Sequence, residues 1–257
     1  MLLPQMVVRE FWLRRALRGY PLYDPPHKLE ERLLSEELAA DNFAYFMRVR
    51  LHRMAYFQDW LRRYFLVTLT PDIEGVHAFN RWGNKYAGLL LNVGPTGRPT
   101  GSYFTYEPVW TGNEAGCNVL FDIGITLGEF LIANNPKLHW DLEPTSAILP
   151  RTAKMLKRSP GMSFQRPKLS GFDNPVWSWP ALHYVYGFAR QMTDMTTFKG
   201  LQRFRRRGKT DRRRIQDALM DMFERALSDD FATDPHGLQR EMPLAHYVKL
   251  VDMESEG

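Results

Sequence analysis

Apolar residues fill positions 117–134 almost without interruption, and their spacing predicts a buried helix. Leucine and isoleucine recur there at three- and four-residue intervals, and other apolar side chains occupy most of the positions between them. A helix that is apolar nearly all round must be covered on several sides. Gly124 and Gly128 lie one turn apart and predict a groove in which another backbone approaches closely. An Asn-Asn-Pro sequence ends the helix, and a short strand carrying Trp140 follows.

Polar side chains form a single stripe along this helix, because offsets of four, eight and eleven residues stay on one face. The stripe consists of Asn118, Asp122, Thr126 and Glu129. In so apolar a helix these groups must meet water or buried partners. We favour the interpretation that Asp122 and Glu129 hold neighbouring backbone or an arginine. The alternative is a ligand-binding or catalytic pair of carboxylates.

Helical periodicity recurs along much of the remaining chain. The helix that follows Thr70 and Pro71 starts with a typical signature, with threonine as its cap and proline in its first turn. A pair of polar residues, Asp41 and Asn42, marks the expected break if the second stretch is two helices. The predicted helices cover residues 4–18, 28–65, 70–91, 181–197 and 210–227.

The N-terminal helix, residues 4–18, carries large apolar side chains beside several arginines. Phe11 and Trp12 need cover, so we expect this helix to dock on the protein's own core. The alternative is that it lies on an anionic membrane surface.

Strands are predicted at residues 102–106 and 162–169, besides the one that carries Trp140. The loop before them, residues 92–101, lacks the spacing of a phosphate-binding loop, and its two prolines remove amide donors. We therefore predict an α+β fold that is mainly α-helical, with six to eight helices around a small sheet of two to four short strands. The chain, 1–257, is expected to form a single domain with a possible basic appendage at 199–214 and a loose tail at 231–257.

Composition indicates a globular protein, because 13 % of the 257 residues are aromatic. The one cysteine, Cys117, excludes an internal disulfide framework and suits a reducing compartment. The N-terminus lacks the basic-then-apolar order of a signal peptide, and no uninterrupted apolar run reaches the length of a membrane span. We expect a cytoplasmic protein without a transmembrane segment.

The net charge of +5 conceals one strongly basic segment. Between residues 199 and 214 there are nine cations and one Asp, so this segment carries +8 and the remaining chain carries −3. Such a segment can bind an acidic protein partner or the backbone of a nucleic acid, with Phe204 stacking on a base, or it can be a solvated turn between helices. The candidate binding residues are Lys199, Arg203, Phe204, Arg205, Arg206, Arg207, Lys209, Arg212, Arg213 and Arg214.

Arginines also alternate with aromatic residues near position 50, which is a pattern seen in nucleic-acid-binding helices. Arg48, Arg50, His52 and Arg53 stand at helical spacing. We interpret them as the solvated flank of a core helix.

Catalytic signatures are absent from the sequence: there is no HExxH, GxSxG, paired CxxC or ExK motif. The seven histidines are scattered, and none are spaced as a ligand pair on one helix, so we expect no metal site and no cofactor. If the protein is an enzyme, the candidate catalytic residues are Asp122, Glu129, His139 and Asp141. A protein that acts without catalysis is favoured.

One array of residues extends across the central helix and the following strand. It comprises Tyr106, Pro108, Trp110, Gly112, Gly116, Asn118, the DxGxxLGE motif at 122–129, Pro136, Leu138 and Trp140. Over about residues 71–171 it resembles uncharacterised bacterial families with a DxGxxLGE helix followed by a Trp-bearing strand. Some members are similar to presumed immunity or accessory proteins encoded near toxin or defence genes. The resemblance implies a fold and such a role, and it transfers no catalytic residues.

These observations predict a non-catalytic, cytoplasmic bacterial accessory or immunity/defence-type protein that binds an anionic partner through its Arg-rich segment. A nucleic-acid-binding protein using the same segment is the first alternative. A hydrolase-like enzyme using Asp122 and Glu129 is the second.

Overall fold

Six helices and a two-stranded antiparallel sheet make up the regular structure in the part of the chain that the computed structural model describes. That part comprises residues 2–29, 33–91, 115–142, 165–173, 181–196 and 209–228. The predicted α+β, mainly helical architecture is confirmed. The helices are α1 (Leu2–Ala16), α2 (Glu36–Phe65), α3 (Ile73–Leu90), α4 (Ala115–Asn134), α5 (Ala181–Thr196) and α6 (Lys209–Ser228), and the strands are β1 (His139–Leu142) and β2 (Pro167–Ser170).

Some predicted elements lie outside the described residues, namely the loop at 92–101 and the strand at 102–106. The tail at 231–257 lies outside them too, so the division of the chain into one domain with an appendage and a tail stays a prediction. The strand predicted at 162–169 is observed as β2, which begins at Pro167 and ends at Ser170.

Helix α4 is the centre of the fold, as its sequence predicts. It packs against α2, α3, α5 and α6, and every residue from 116 to 128 is buried. By length and composition α4 is apolar enough to cross a bilayer, but its residues are enclosed by the other helices. It is the core helix of the described structure.

The two glycines of α4 accommodate different neighbours. At Gly124 a Cβ atom would lie 3.1 Å from the Cα of Leu182, so the expected close approach of a second backbone is that of α5. At Gly128 the neighbour is the indole ring of Trp140, not a backbone. Trp140 pairs with Leu169 in the antiparallel register of β1 and β2, so this contact places the sheet against α4.

Helix α2 differs from its prediction at its start and at the expected break. It begins after Ser35, whose hydroxyl accepts a hydrogen bond from the Leu38 amide. It continues through position 42, because the Asn42 side chain accepts from the His27 amide and donates to the His27 carbonyl. Asn42 therefore holds the preceding segment against an unbroken helix. Leu29, expected inside the helix, precedes it and is exposed.

Helix α3 begins two residues later than predicted. Asp72 is its cap and accepts a hydrogen bond from the Gly75 amide at 2.7 Å. Thr70, the predicted cap, instead donates its hydroxyl proton to the same carboxylate. A carboxylate at this position also meets the positive end of the helix dipole, which favours Asp72 over Thr70.

Helix α1 docks on the core, but through a different face from the one predicted. Its buried side chains are Leu13 and Ala16, with Leu17 just after the helix. Phe11 and Trp12, which we expected to be covered, are 63 % and 50 % exposed. The prediction failed because the helix carries apolar residues on two sides and periodicity does not say which side faces inward.

The contact between Gly128 and Trp140 yields a stability prediction. A Cβ atom at position 128 would lie 2.2 Å from the ring carbon Cζ2 of Trp140, so Gly128→Ala should lower the free energy of unfolding by more than ~2 kcal/mol through overpacking. Gly187 in α5 is the matched control, because a Cβ there meets nothing within 4 Å. Gly187→Ala should raise the free energy of unfolding by about 0.5–1 kcal/mol. Urea unfolding curves that coincide for the two variants would contradict the packing described.

Candidate functional site

Asp122 occupies the middle of the polar stripe and is completely buried. Arg53 of α2 donates from Nε to Oδ1 at 2.5 Å and from Nη2 to Oδ2 at 2.9 Å, so the guanidinium binds the carboxylate with two hydrogen bonds. The Tyr20 hydroxyl donates to Oδ2 at 2.7 Å. The carboxylate of Asp122 is thus surrounded by donors of the protein itself.

The other polar side chains of the stripe also make hydrogen bonds within the protein. Asn118 accepts a hydrogen bond from the Tyr23 amide, and the Thr126 hydroxyl donates to the Asp122 carbonyl at 2.8 Å. Glu129 accepts at Oε1 from Nε of Arg50, at 2.8 Å, and from the indole N–H of Trp140, at 2.7 Å.

The favoured interpretation of the stripe is therefore confirmed: Asp122 and Glu129 each hold an arginine. Both arginines, Arg50 and Arg53, come from one face of α2. The interpretation of these arginines as a solvated flank is wrong for Arg53, which is buried against α4. Helical spacing places arginines on one face, but whether that face meets water depends on the position of α4.

Burial and pairing act in opposite directions on the acid–base behaviour of this cluster. Burial raises the pKa of Asp122 to about 6, and the neighbouring Arg53 and Tyr20 partly offset that rise. Burial, with the Asp122 carboxylate beside it, also raises the pKa of Tyr20 well above its usual value. Tyr20 stays protonated and donates its hydrogen bond, and the cluster is closed to solvent. Such an arrangement holds the neighbouring segments in one geometry, and the Asp122 carboxylate is not exposed to a substrate.

His139 and Asp141 lie apart from this cluster. They alternate with Trp140 along β1, so their side chains leave the face of the strand that packs on Glu129. His139 is exposed, and its Nδ1 lies 3.2 Å from the Lys137 carbonyl oxygen. Asp141 accepts from the Ser170 hydroxyl at 3.1 Å. The fold does not bring the four candidate catalytic residues into one site.

A metal-binding arrangement is not found among the residues that the structure describes: no group of three or more His, Cys, Asp or Glu side chains converges there. Cys117 is a buried thiol in α4.

The basic segment is covered by the structure only in part. Residues 199–208 lie outside the described ranges, so the contacts of Lys199, Arg203, Phe204 and the triplet at 205–207 stay predictions. Helix α6 begins at Lys209 and includes Arg212, Arg213 and Arg214 in its first two turns. The cap predicted at Thr210 and Asp211 is inside the helix.

The structure has a groove that the sequence did not predict. It lies between α1, α3 and the end of α2. It has a volume of about 510 Å³, and five of its eleven lining residues are aromatic. We call it the aromatic groove; its lining residues are Trp12, Tyr64, Phe65, Leu66, Val67, Thr68, Ala78, Arg81, Trp82, Lys85 and Tyr86. A signal was present in the sequence, because α2 ends in two arginines and an apolar run, Tyr64 to Val67, without the glycine or asparagine that usually ends a helix.

Comparison of the chain with protein-family models, curated proteins and solved structures finds no match. The resemblance to families with a DxGxxLGE helix therefore stays a prediction.

The Arg53–Asp122 pair predicts an asymmetric response to substitution. Arg53→Met leaves a buried carboxylate without its counter-ion and should lower the free energy of unfolding at neutral pH by about 3–5 kcal/mol. Arg53→Met combined with Asp122→Asn removes both charges and should recover much of that loss. The control is Arg14→Met, because Arg14 pairs with Glu10 on the surface at 2.8 Å and its loss should cost under ~1 kcal/mol. Equal costs for Arg53→Met and Arg14→Met would show that the buried pair is not structural.

The raised pKa of Asp122 predicts a pH dependence of defined sign. A folded-state pKa of about 6, above the ordinary value of 3.8, means that the folded protein holds this proton more tightly than the unfolded chain. The stability from this group is fully present below the unfolded value and is lost as the pH rises through about 6. Compared with Asp122→Asn, the free energy of unfolding of the parent should fall by roughly 3 kcal/mol across this window. Chemical unfolding at several pH values measures the difference, and parallel profiles would exclude a raised pKa.

Proposed function

We propose that the protein acts by binding an anionic partner, as a cytoplasmic bacterial accessory protein of the immunity or defence type, and not by catalysis. The observation that carries this proposal is the internal pairing of the polar stripe. Asp122 and Glu129, the strongest catalytic candidates, are each held by an arginine, and His139 and Asp141 lie elsewhere. The basic segment at 199–214 is then the remaining concentration of functional groups in the sequence.

The part of the basic segment that the structure describes is the start of α6. Arg212, Arg213 and Arg214 are in the first turns of α6, where cations oppose the helix dipole. The same helix is anchored further along by its buried side chains Leu219 and Phe223. A helix anchored at one end and basic at the other is suited to present charge to a partner.

The partner's surface must be anionic, since the segment carries +8 on a chain whose remainder carries −3. An acidic face of another protein is the partner we favour. The backbone of a nucleic acid is the alternative, and the two differ in how strongly binding depends on salt, because phosphate contacts release condensed counterions.

Replacement of both arginine triplets, 205–207 and 212–214, by serine tests the proposal. The melting temperature should stay nearly unchanged, while binding to polyglutamate, duplex DNA and single-stranded RNA should weaken strongly, most visibly at low salt. The control is Arg48→Ser with Arg190→Ser, which removes exposed cations outside the segment and should leave binding nearly intact.

Fluorescence anisotropy across a salt series measures the binding of each probe. Preference for polyglutamate over DNA and RNA supports the protein partner, and the reverse order supports the nucleic-acid alternative. If the triplet variant unfolds, the arginines are internal salt-bridge partners and the proposal loses its main support.

A further inference from the structure

An apolar surface is left uncovered where α1 meets the end of α2. Val7, Val8, Phe11 and Trp12 are all at least half exposed along one side of α1. Trp12 also lines the aromatic groove, which continues this surface to Leu66. Single exposed apolar residues are ordinary, but a contiguous patch of this kind marks a surface that binds a protein or a membrane.

Leu66 is unfavourable for the fold in two respects. It has φ 55° and ψ 34°, the left-handed conformation in which helices usually place glycine or asparagine. A leucine there costs roughly 1–2 kcal/mol relative to ordinary backbone. Its side chain is also 90 % exposed, so it contributes almost no buried surface in return. Strain at an exposed apolar residue indicates a role outside the folded core.

The charged residues that line the aromatic groove have one sign, and Glu10 of α1 is paired with Arg14. Arg81 and Lys85 are the charged residues that line the aromatic groove, and the lining includes no acid. Arg15 and Arg18 add two exposed cations from α1 and the residues just after it. Within the described ranges, no carboxylate lies at ion-pair distance from any of these four residues.

We propose that this surface docks the protein on an anionic phospholipid bilayer. Phe11 and Leu66 enter the outer edge of the hydrocarbon, the cations meet headgroup phosphates, and the tyrosines and tryptophans of the groove lie at the level where amphipathic rings are favoured. Charge complementarity disfavours a second copy of this chain as the occupant, because pairing two such faces brings like charges together. This docking is independent of the basic segment at 199–214.

Co-sedimentation of the full chain with vesicles tests the proposal. Vesicles of phosphatidylcholine with about one-third phosphatidylserine should bind the protein, vesicles of pure phosphatidylcholine should bind it far less, and added salt should weaken the binding. Absence of binding to the anionic vesicles at low salt would overturn the proposal.

Two substitutions, Leu66→Asn and Phe11→Ser, test whether this surface, and not another part of the molecule, binds the vesicles. Each should weaken vesicle binding by about tenfold or more, because an inserted apolar side chain is removed. Leu66→Asn should melt no lower than the parent, since asparagine tolerates the left-handed conformation. The control is Leu51→Asn, which changes a half-exposed leucine about 22 Å away along α2, and it should leave vesicle binding unchanged.

Three outcomes assign the surface differently. If vesicle binding survives Leu66→Asn and Phe11→Ser but is lost with the arginine triplets at 205–207 and 212–214, the lipid contact belongs to the basic segment and this proposal is wrong. If sedimentation velocity shows a dimer that Leu66→Asn dissociates, the occupant is a second copy. If polyglutamate binding, and not vesicle binding, responds to Leu66→Asn, the occupant is an acidic protein segment.

Discussion

The buried ion pair between Arg53 and Asp122 is the interaction on which the N-terminal half of the structure depends. Withdrawal of two charges from water costs several kcal/mol for each ion, and the pair is tolerated only if its geometry is good and its remaining hydrogen-bonding capacity is filled. Here the guanidinium binds the carboxylate through two bonds, the Tyr20 hydroxyl adds a third, and Arg53 also donates to the Pro21 carbonyl at 3.3 Å. The pair therefore holds α2, α4 and the segment after α1 in one arrangement.

This arrangement determines which side chains of α1 are exposed to solvent. Because the segment around Tyr20 is bound to α4, the last turns of α1 lie against α2, where the Trp60 indole donates to the Ala16 carbonyl at 2.8 Å. Leu13 faces the core, and Phe11 and Trp12 face outward. The same contacts that bury the Asp122 cluster thus leave an apolar surface with cations beside it.

The internal and external charges of the protein follow different physical rules. Inside, Asp122 and Glu129 are each matched by one arginine at short range. At the aromatic groove, Arg81 and Lys85 have no acid among the other lining residues, and in the sequence the segment at 199–214 has nine cations and one Asp. Paired charge inside the protein fixes one geometry, and unpaired charge outside attracts anions over a distance set by ionic strength.

Local patterns in the sequence determined the helices and the central position of α4, whose bounds were predicted to within two residues. Its burial was predictable because a helix that is apolar all round has only one environment available in water. Tertiary structure decided what local patterns left open. Two apolar sides compete on α1, two candidate caps compete before α3, and Arg53 has no counter-ion nearby in sequence, since Asp122 is 69 residues away. Likewise, the left-handed Leu66 lines a groove only because α1 and α3 lie beside it. In each case several local states are close in energy, and the long-range contacts choose between them.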